Sequence, residues 1–300
     1  MDRQEREIMF EKLKANILFD RLLRRLDINK AYAMVPETDP WYATIKKVHD
    51  SLEDIRKRPH EILETISKDG LKLKGVYYPN GSDVTVICVH GYTSHAEREW
   101  AFPGLFYLSL GYNVLIPYQR AHGPSEGKYI SFCALEHLDM IGWVHKVNET
   151  IPGGKIIIHG LSMGGGIVLA LSRVKMDNVK CLIADAPSRG IDGFFRGVSQ
   201  SLFRKQADKV YAYAAERFRK EFGHDIREFE GTKLVTESRY PLLLSAGSNE
   251  HMEELFETIK RDSPQETEII ILPGCDHGNG MYKQTELYQT AIKRFTEKYI

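Results

Sequence analysis

From residue 84 onward the chain switches between two patterns. Short, nearly unbroken aliphatic runs occur at Val84-Thr85-Val86-Ile87-Cys88-Val89, Val114-Leu115-Ile116, Ile156-Ile157-Ile158, Val179-Lys180-Cys181-Leu182-Ile183-Ala184, Leu242-Leu243-Leu244 and Glu268-Ile269-Ile270-Ile271-Leu272. Runs this short and this rich in β-branched residues read as strands covered on both faces. Segments with helical spacing separate most of them, and that alternation predicts a parallel α/β sheet. Just upstream, Glu64-Thr65-Ile66-Ser67, the Asp69-Gly70 turn and the alternating stretch Leu71–Tyr78 predict an antiparallel hairpin.

Two regions break the rhythm. Residues 1–65 place Phe10, Leu13, Ile17, Phe19, Leu22, Leu23 and Leu26 at helical spacing among charges, with Pro36, Pro40 and Pro59 as punctuation. This reads as an N-terminal helical extension packed on the main domain, with a partner-binding or oligomer surface as the alternative. Glu5, Glu7, Glu11 and Asp20 argue against a basic helix lying on a membrane. Residues 187–240 contain no strand-like run and hold Phe194, Phe195, Val198, Leu202, Val210, Tyr211 and Phe218 among basic and polar residues. They read as a helical lid inserted between two sheet strands, where it would shape a substrate pocket. The core is then 66–186 together with 241–300.

Composition narrows the class. Of 300 residues, 42% are hydrophobic, enough for a sizeable core, and 41 basic side chains balance 41 acidic ones, which favours neither nucleic acid nor an anionic surface. Cys88, Cys133, Cys181 and Cys275 form no CxxC pair, a pattern suited to a reducing compartment. The charged N-terminus lacks an uninterrupted apolar core or cleavage signature, and no stretch reaches the roughly 18 apolar residues of a membrane span. The expectation is a cytoplasmic protein without a membrane span. No metal-ligand spacing, dinucleotide fingerprint or P-loop is present, so no cofactor is expected.

The chemistry concentrates at Gly160-Leu161-Ser162-Met163-Gly164. Three isoleucines run into it and the apolar stretch Ile167–Leu171 follows, the strand–turn–helix setting of a nucleophile elbow. Such a turn lifts the Ser162 hydroxyl off the backbone and leaves the Met163 amide near a helix N-terminus, free to donate to a developing oxyanion. Serine needs a base to take its proton and a carboxylate to orient that base. His277, in the loop after the last strand, is the candidate base, since open α/β sheets carry their sites beyond the C-terminal strand edge.

For the acid, Glu250 is the carboxylate nearest the end of Leu242–Leu244. Asp185, after the strand ending at Ala184, is the alternative acid; Asn249 and Asp276 are further candidates. The second oxyanion amide falls to Tyr92, after His90-Gly91. His90 and His159 read as structural. Met163, Tyr92 and Trp100 are candidates to face an acyl pocket.

Together these residues resemble the α/β-hydrolase superfamily, in particular its bacterial carboxylesterase-like and serine-aminopeptidase-like members, which include feruloyl and cinnamoyl esterases. The resemblance runs from about Ile66 to the C-terminus. It rests on His90-Gly91-Tyr92-Thr93, the Gly160–Gly165 elbow, Gly274-Cys275-Asp276-His277-Gly278, and Arg120-Ala121-His122-Gly123-Pro124-Ser125-Glu126-Gly127. Gln119 stands where the family usually has Asp, Ala121 where it has Gly, and Gly247-Ser248-Asn249-Glu250 where it has Gly-x-x-Asp. The resemblance implies a mostly parallel sheet flanked by helices, with Ser162 as nucleophile, His277 as base, and the Met163 and Tyr92 amides as oxyanion hole. It implies a serine hydrolase of carboxylic esters with a small or aromatic acyl group. An aminopeptidase or amidase, and a catalytically silent binding module, are the alternatives. A small-molecule ester is the expected partner, and the oligomeric state stays open.

Overall fold

The Asp69-Gly70 turn closes a hairpin between β1 (Glu61–Ile66) and β2 (Lys72–Tyr78), paired antiparallel from Glu61↔Tyr77 to Ile66↔Lys72. In this computed structural model, which describes residues 2–26, 34–229 and 231–300, the hairpin is the edge of an eight-stranded sheet. The remaining strands are β3 (Val84–Val89), β4 (Asn113–Pro117), β5 (Lys155–Leu161), β6 (Val179–Asp185), β7 (Leu242–Gly247) and β8 (Thr267–Leu272). Their spatial order is β1-β2-β4-β3-β5-β6-β7-β8. β2 runs antiparallel to β4, and β4 through β8 are mutually parallel.

The unbroken aliphatic runs follow from burial on both faces. Side chains alternate across a strand, so Ile87 and Val89 enter one core while Val86 and Cys88 enter the other. In β5, Ile156 and Ile158 face the first core and Ile157 the second; in β6, Leu182 and Ala184 oppose Cys181 and Ile183. No polar face is left for a strict apolar–polar alternation to report.

The helices are α1 (Arg3–Leu23), α2 (Tyr42–Arg56), α3 (Ala96–Ser109), α4 (Glu136–Thr150), α5 (Met163–Leu171), α6 (Ile191–Phe203), α7 (Ala207–Phe222), α8 (Gly231–Leu234), α9 (Glu253–Asp262), α10 (Gly280–Lys283) and α11 (Thr285–Glu297). α1 begins with a capping box between Asp2 and Glu5 and buries Ala15, Leu18, Phe19 and Leu22 against α7. α2 packs on α3 instead, on the opposite side of the sheet.

The sheet starts earlier than the pattern of residues 1–65 suggests. Glu61–Thr65 are strand rather than helix, because this edge strand satisfies its backbone on β2 while Ile62 and Ile66 stay exposed. Residues 27–33 of the predicted helical extension lie outside the described residues. Among its described residues the 187–240 stretch carries the helices α6, α7 and α8, joined by turns, and no strand. Among the described residues no helix is long and apolar enough to cross a membrane.

Chain order reverses at β3: β4 lies on one side of it and β5 on the other. The loops leaving β3 and β5 therefore diverge from adjacent strands, with Val89 paired to Gly160 at the last register position. In open parallel sheets this is where a crevice forms.

Candidate active site

Ser162 occupies that crevice. It sits between β5 and α5 with φ 59° and ψ −115°, a backbone conformation costing a non-glycine residue about 1–3 kcal/mol. Three main-chain hydrogen bonds hold it there. Its amide donates to the Asp185 carbonyl at 2.9 Å, and its carbonyl accepts from Ser188 at 2.9 Å and Gly166 at 3.0 Å. The flanking glycines answer a packing demand: a Cβ on Gly160 would lie 2.1 Å from the Gly164 carbonyl oxygen, and one on Gly164 would lie 2.0 Å from the Val89 oxygen. No side chain fits at either position.

His277 arrives from the loop after β8, and its Nε2 lies 2.9 Å from Ser162 Oγ. Its Nδ1 lies 2.5 Å from Glu250 Oε2. Because a carboxylate only accepts, Nδ1 carries the proton and Nε2 is left to accept from the serine hydroxyl. Glu250 closes a short turn, Ser248–Glu250, directly after β7, and its other oxygen accepts from the Gly247 amide at 2.9 Å. The carboxylate is thus oriented by its own loop. The Glu250 hydrogen bond and charge raise the His277 pKa above its ordinary value, against partial burial, which lowers it; the Asp185 and Glu99 charges add to the rise.

The other acid candidates are engaged elsewhere. Asp185 is buried behind the elbow, accepting from Ser245 Oγ at 2.7 Å and Tyr288 Oη at 2.9 Å. Burial pushes its carboxyl up to about 6. Tyr288 and Tyr107 also bracket the buried His159, so these groups form one polar network under the elbow. Asn249 donates to Asp276 at 2.8 Å, and Asp276 pairs with Lys283.

The loop after β3 completes the crevice. The Tyr92 and Met163 amides donate to no acceptor among the described residues. His90 is buried, with Nδ1 at 2.8 Å from the Gly91 carbonyl oxygen and Nε2 accepting from the Gln119 amide at 3.1 Å. Gln119 returns a side-chain hydrogen bond to the His90 carbonyl. Next to it, the buried Arg120 guanidinium meets Asp139 at 2.7 Å and Asp69 at 2.9 Å, tying the loop to α4 and the hairpin turn.

A cavity of about 440 Å³ opens over Ser162, within the range of small-ligand sites. Its walls differ from the sequence expectation. Trp41, Thr44, Ile45, Val48 and His49, at the start of α2, form one side, and none of the described residues of 187–240 lines it. The insert approaches the site through Ser188, whose amide donates to the Ser162 carbonyl, and through Phe194, whose ring meets Tyr92 at 6.0 Å. The reason is packing: α6 and α7 pair with each other and α7 with α1, which leaves α2 on α3 above the crevice. Of the three side chains expected to face an acyl pocket, Tyr92 does. Trp100 is fully buried edge-on against His159, and the Met163 side chain is buried beneath the elbow.

Glu99 was not among the sequence candidates, yet it lines the cavity beside Ser162. The available signal was a carboxylate flanking the buried α3 stripe Ala96, Trp100, Pro103 and Tyr107. Among the described residues, no cluster of three or more His, Cys, Asp or Glu side chains is arranged to hold a metal ion.

This sheet order, with a strained serine at the β5–α5 turn and a histidine beyond β8, defines an α/β hydrolase. The chain belongs to the alpha/beta hydrolase fold family, whose model matches residues 84–265. It is similar to the esterase Pf2001 of Pyrococcus furiosus, with 27% identity, 82% of this chain and 93% of that one covered, and a TM-score of 0.65. The uncharacterized protein YqkD of Bacillus subtilis (strain 168) is 26% identical over 258 residues, 83% of each chain. Est1E of Butyrivibrio proteoclasticus, solved with ferulic acid bound, shares the fold at 18% identity, with 78% of this chain and 98% of that one covered and a TM-score of 0.58.

Proposed function

We propose that the protein is a serine hydrolase of carboxylic esters with a small or aromatic acyl group, acting through an acyl-enzyme on Ser162. The observation that carries this reading is the continuous line from Glu250 through His277 to Ser162, at 2.5 and 2.9 Å. Ser162 Oγ attacks the ester carbonyl as its proton passes to His277 Nε2, and Glu250 stabilises the imidazolium. The Met163 and Tyr92 amides take the charge on the carbonyl oxygen. His277 then protonates the departing alcohol. A water molecule, deprotonated in turn by His277, releases the acid and restores Ser162. Each step uses side chains and amides of this chain, with no cofactor.

The similarity to an esterase at 27% identity supports the ester-hydrolase reading, and four free, buried cysteines support a reducing, cytoplasmic setting. The test is Ser162→Ala. The purified variant should keep its fold by circular dichroism, lose p-nitrophenyl butyrate turnover and escape labelling by a fluorophosphonate, whereas the wild type turns over and labels. Unchanged turnover in the variant overturns the proposal.

A further inference from the structure

Helix α1 has two apolar faces, and only one of them is used inside the molecule. Ala15, Leu18, Phe19 and Leu22 are buried against α7. On the other side Phe10, Leu13 and Ile17 follow one another at steps of three and four residues, which puts them on a single stripe. They remain 51, 52 and 57% exposed, and Met9 beside them is exposed as well. A run of large apolar side chains left in water in this way marks a contact surface. The charges that prolong the stripe have one sign. Arg3 stands two turns before Phe10, Arg21 one turn after Ile17, and Arg24 at the helix C-cap, all three exposed.

The acidic side chains of α1, which speak against a membrane when only the sequence is read, are engaged away from this stripe. Glu11 is buried and pairs with Lys209 of α7 at 3.0 Å, and Glu7 reaches the same lysine at 3.8 Å. Asp20 pairs with Arg217 at 2.6 Å and accepts from Tyr129 Oη at 2.9 Å. Glu5 closes the capping box, accepting from the Asp2 amide at 2.9 Å. At 3.6 residues per turn, Glu5, Glu7 and Glu11 project about a quarter turn or more from the line of Phe10, Leu13 and Ile17.

Whatever covers the stripe must offer apolar contact along its middle and negative charge at both ends. A second copy of the chain does not, because two such stripes laid parallel or antiparallel bring arginine onto arginine. An anionic bilayer does: its acyl boundary takes the apolar side chains while its phosphates meet the guanidinium groups. We propose that the outer face of α1 is a docking surface for a membrane containing anionic phospholipid, with the helix lying in the plane of the interface. The Tyr92 hydroxyl donates to the Leu22 carbonyl, so the end of α1 abuts a wall of the Ser162 cavity. Docking keeps that cavity close to the lipid surface.

The experiment is sedimentation of the full chain with vesicles, a readout that needs no hydrolysis and so stands or falls apart from the catalytic reading. The wild type should pellet with vesicles of equal parts phosphatidylglycerol and phosphatidylcholine, much less with phosphatidylcholine alone, and less as salt is raised. The triple variant Arg3→Gln, Arg21→Gln, Arg24→Gln should bind the mixed vesicles roughly 100-fold more weakly. Phe10→Gln, Leu13→Gln, Ile17→Gln should lose a similar factor, with an unchanged circular dichroism spectrum, since glutamine suits an exposed helix position. A wild type that stays in solution with the mixed vesicles, or pellets equally with both kinds, overturns the proposal whether or not the variants fold. Binding that both folded variants retain removes α1 from the contact and overturns it too. A wild type that is a dimer by light scattering, and a monomer once the three apolar residues are replaced, means that a second copy covers the stripe, and the membrane assignment falls.

Discussion

Glu250 meets the Nδ1 edge of His277 at 2.5 Å from a position 27 residues earlier in the chain. Both groups stand on loops beyond the C-terminal edge of neighbouring parallel strands, β7 and β8. The carboxylate needs no long reach, because the Gly247 amide turns it toward the imidazole.

Replacing Glu250 by Gln should lower kcat for p-nitrophenyl butyrate, roughly 10⁴-fold if it acts as the orienting acid of a serine triad. The sign of the pH effect is also fixed. Glu250 raises the His277 pKa, and a histidine acting as the proposed general base must be neutral to take the serine's proton. Without the charge, the acidic limb of the kcat/KM profile of residual activity should move to lower pH. A limb that stays in place would remove Glu250 from this role.

Asp185→Asn should behave differently. Two hydroxyls donate to this carboxylate, so an amide in its place must turn a donor toward one of them, at a cost of about 1–3 kcal/mol in stability. The loss of kcat should be far smaller than for Glu250→Gln. The stability effect should depend on pH. Burial raises the folded-state carboxyl from 3.8 to about 6, so its contribution is full below the unfolded value and is lost as pH rises through about 6. Urea unfolding of the two proteins at several pH values should show a gap that is widest in acid and narrows over that window.

The α2 wall should set acyl length. Ile45→Trp places a larger side chain in the cavity and should cut kcat/KM for p-nitrophenyl octanoate by roughly tenfold more than for the acetate. Leu202→Ala, on an exposed part of α6 away from the cavity, should leave the chain-length profile unaltered. A profile that shifts with Leu202 and not with Ile45 would return the pocket to the inserted helices.

Arg120→Met should destabilise the fold by about 3–5 kcal/mol, because it leaves Asp139 buried without its cation. The urea midpoint should fall with little change in the denaturant slope. A midpoint within error of the wild type would mean that Asp139 is accommodated as a neutral acid.

Much of this molecule is written locally. Aliphatic runs of strand length report burial on both faces of a sheet, since side-chain alternation hands each neighbour to a different core. The Asp69-Gly70 signal marks a turn because glycine accepts the positive φ found there. Gly160 and Gly164 flag the elbow because neither has room for a Cβ. By itself, then, the sequence determined the parallel sheet, its antiparallel edge and the place of Ser162 at a strand–helix turn. Which side chains meet was decided only in three dimensions. Ser162 and His277 are 115 positions apart. Asp185 ends β6 and Glu250 follows β7, yet Glu250 faces the crevice and Asp185 a buried tyrosine. Neither the α2 wall nor the nearness of Glu99 to Ser162 leaves a periodic trace. Periodicity records how deeply a residue is buried, whereas a site depends on which distant surfaces pack together and where they leave a gap.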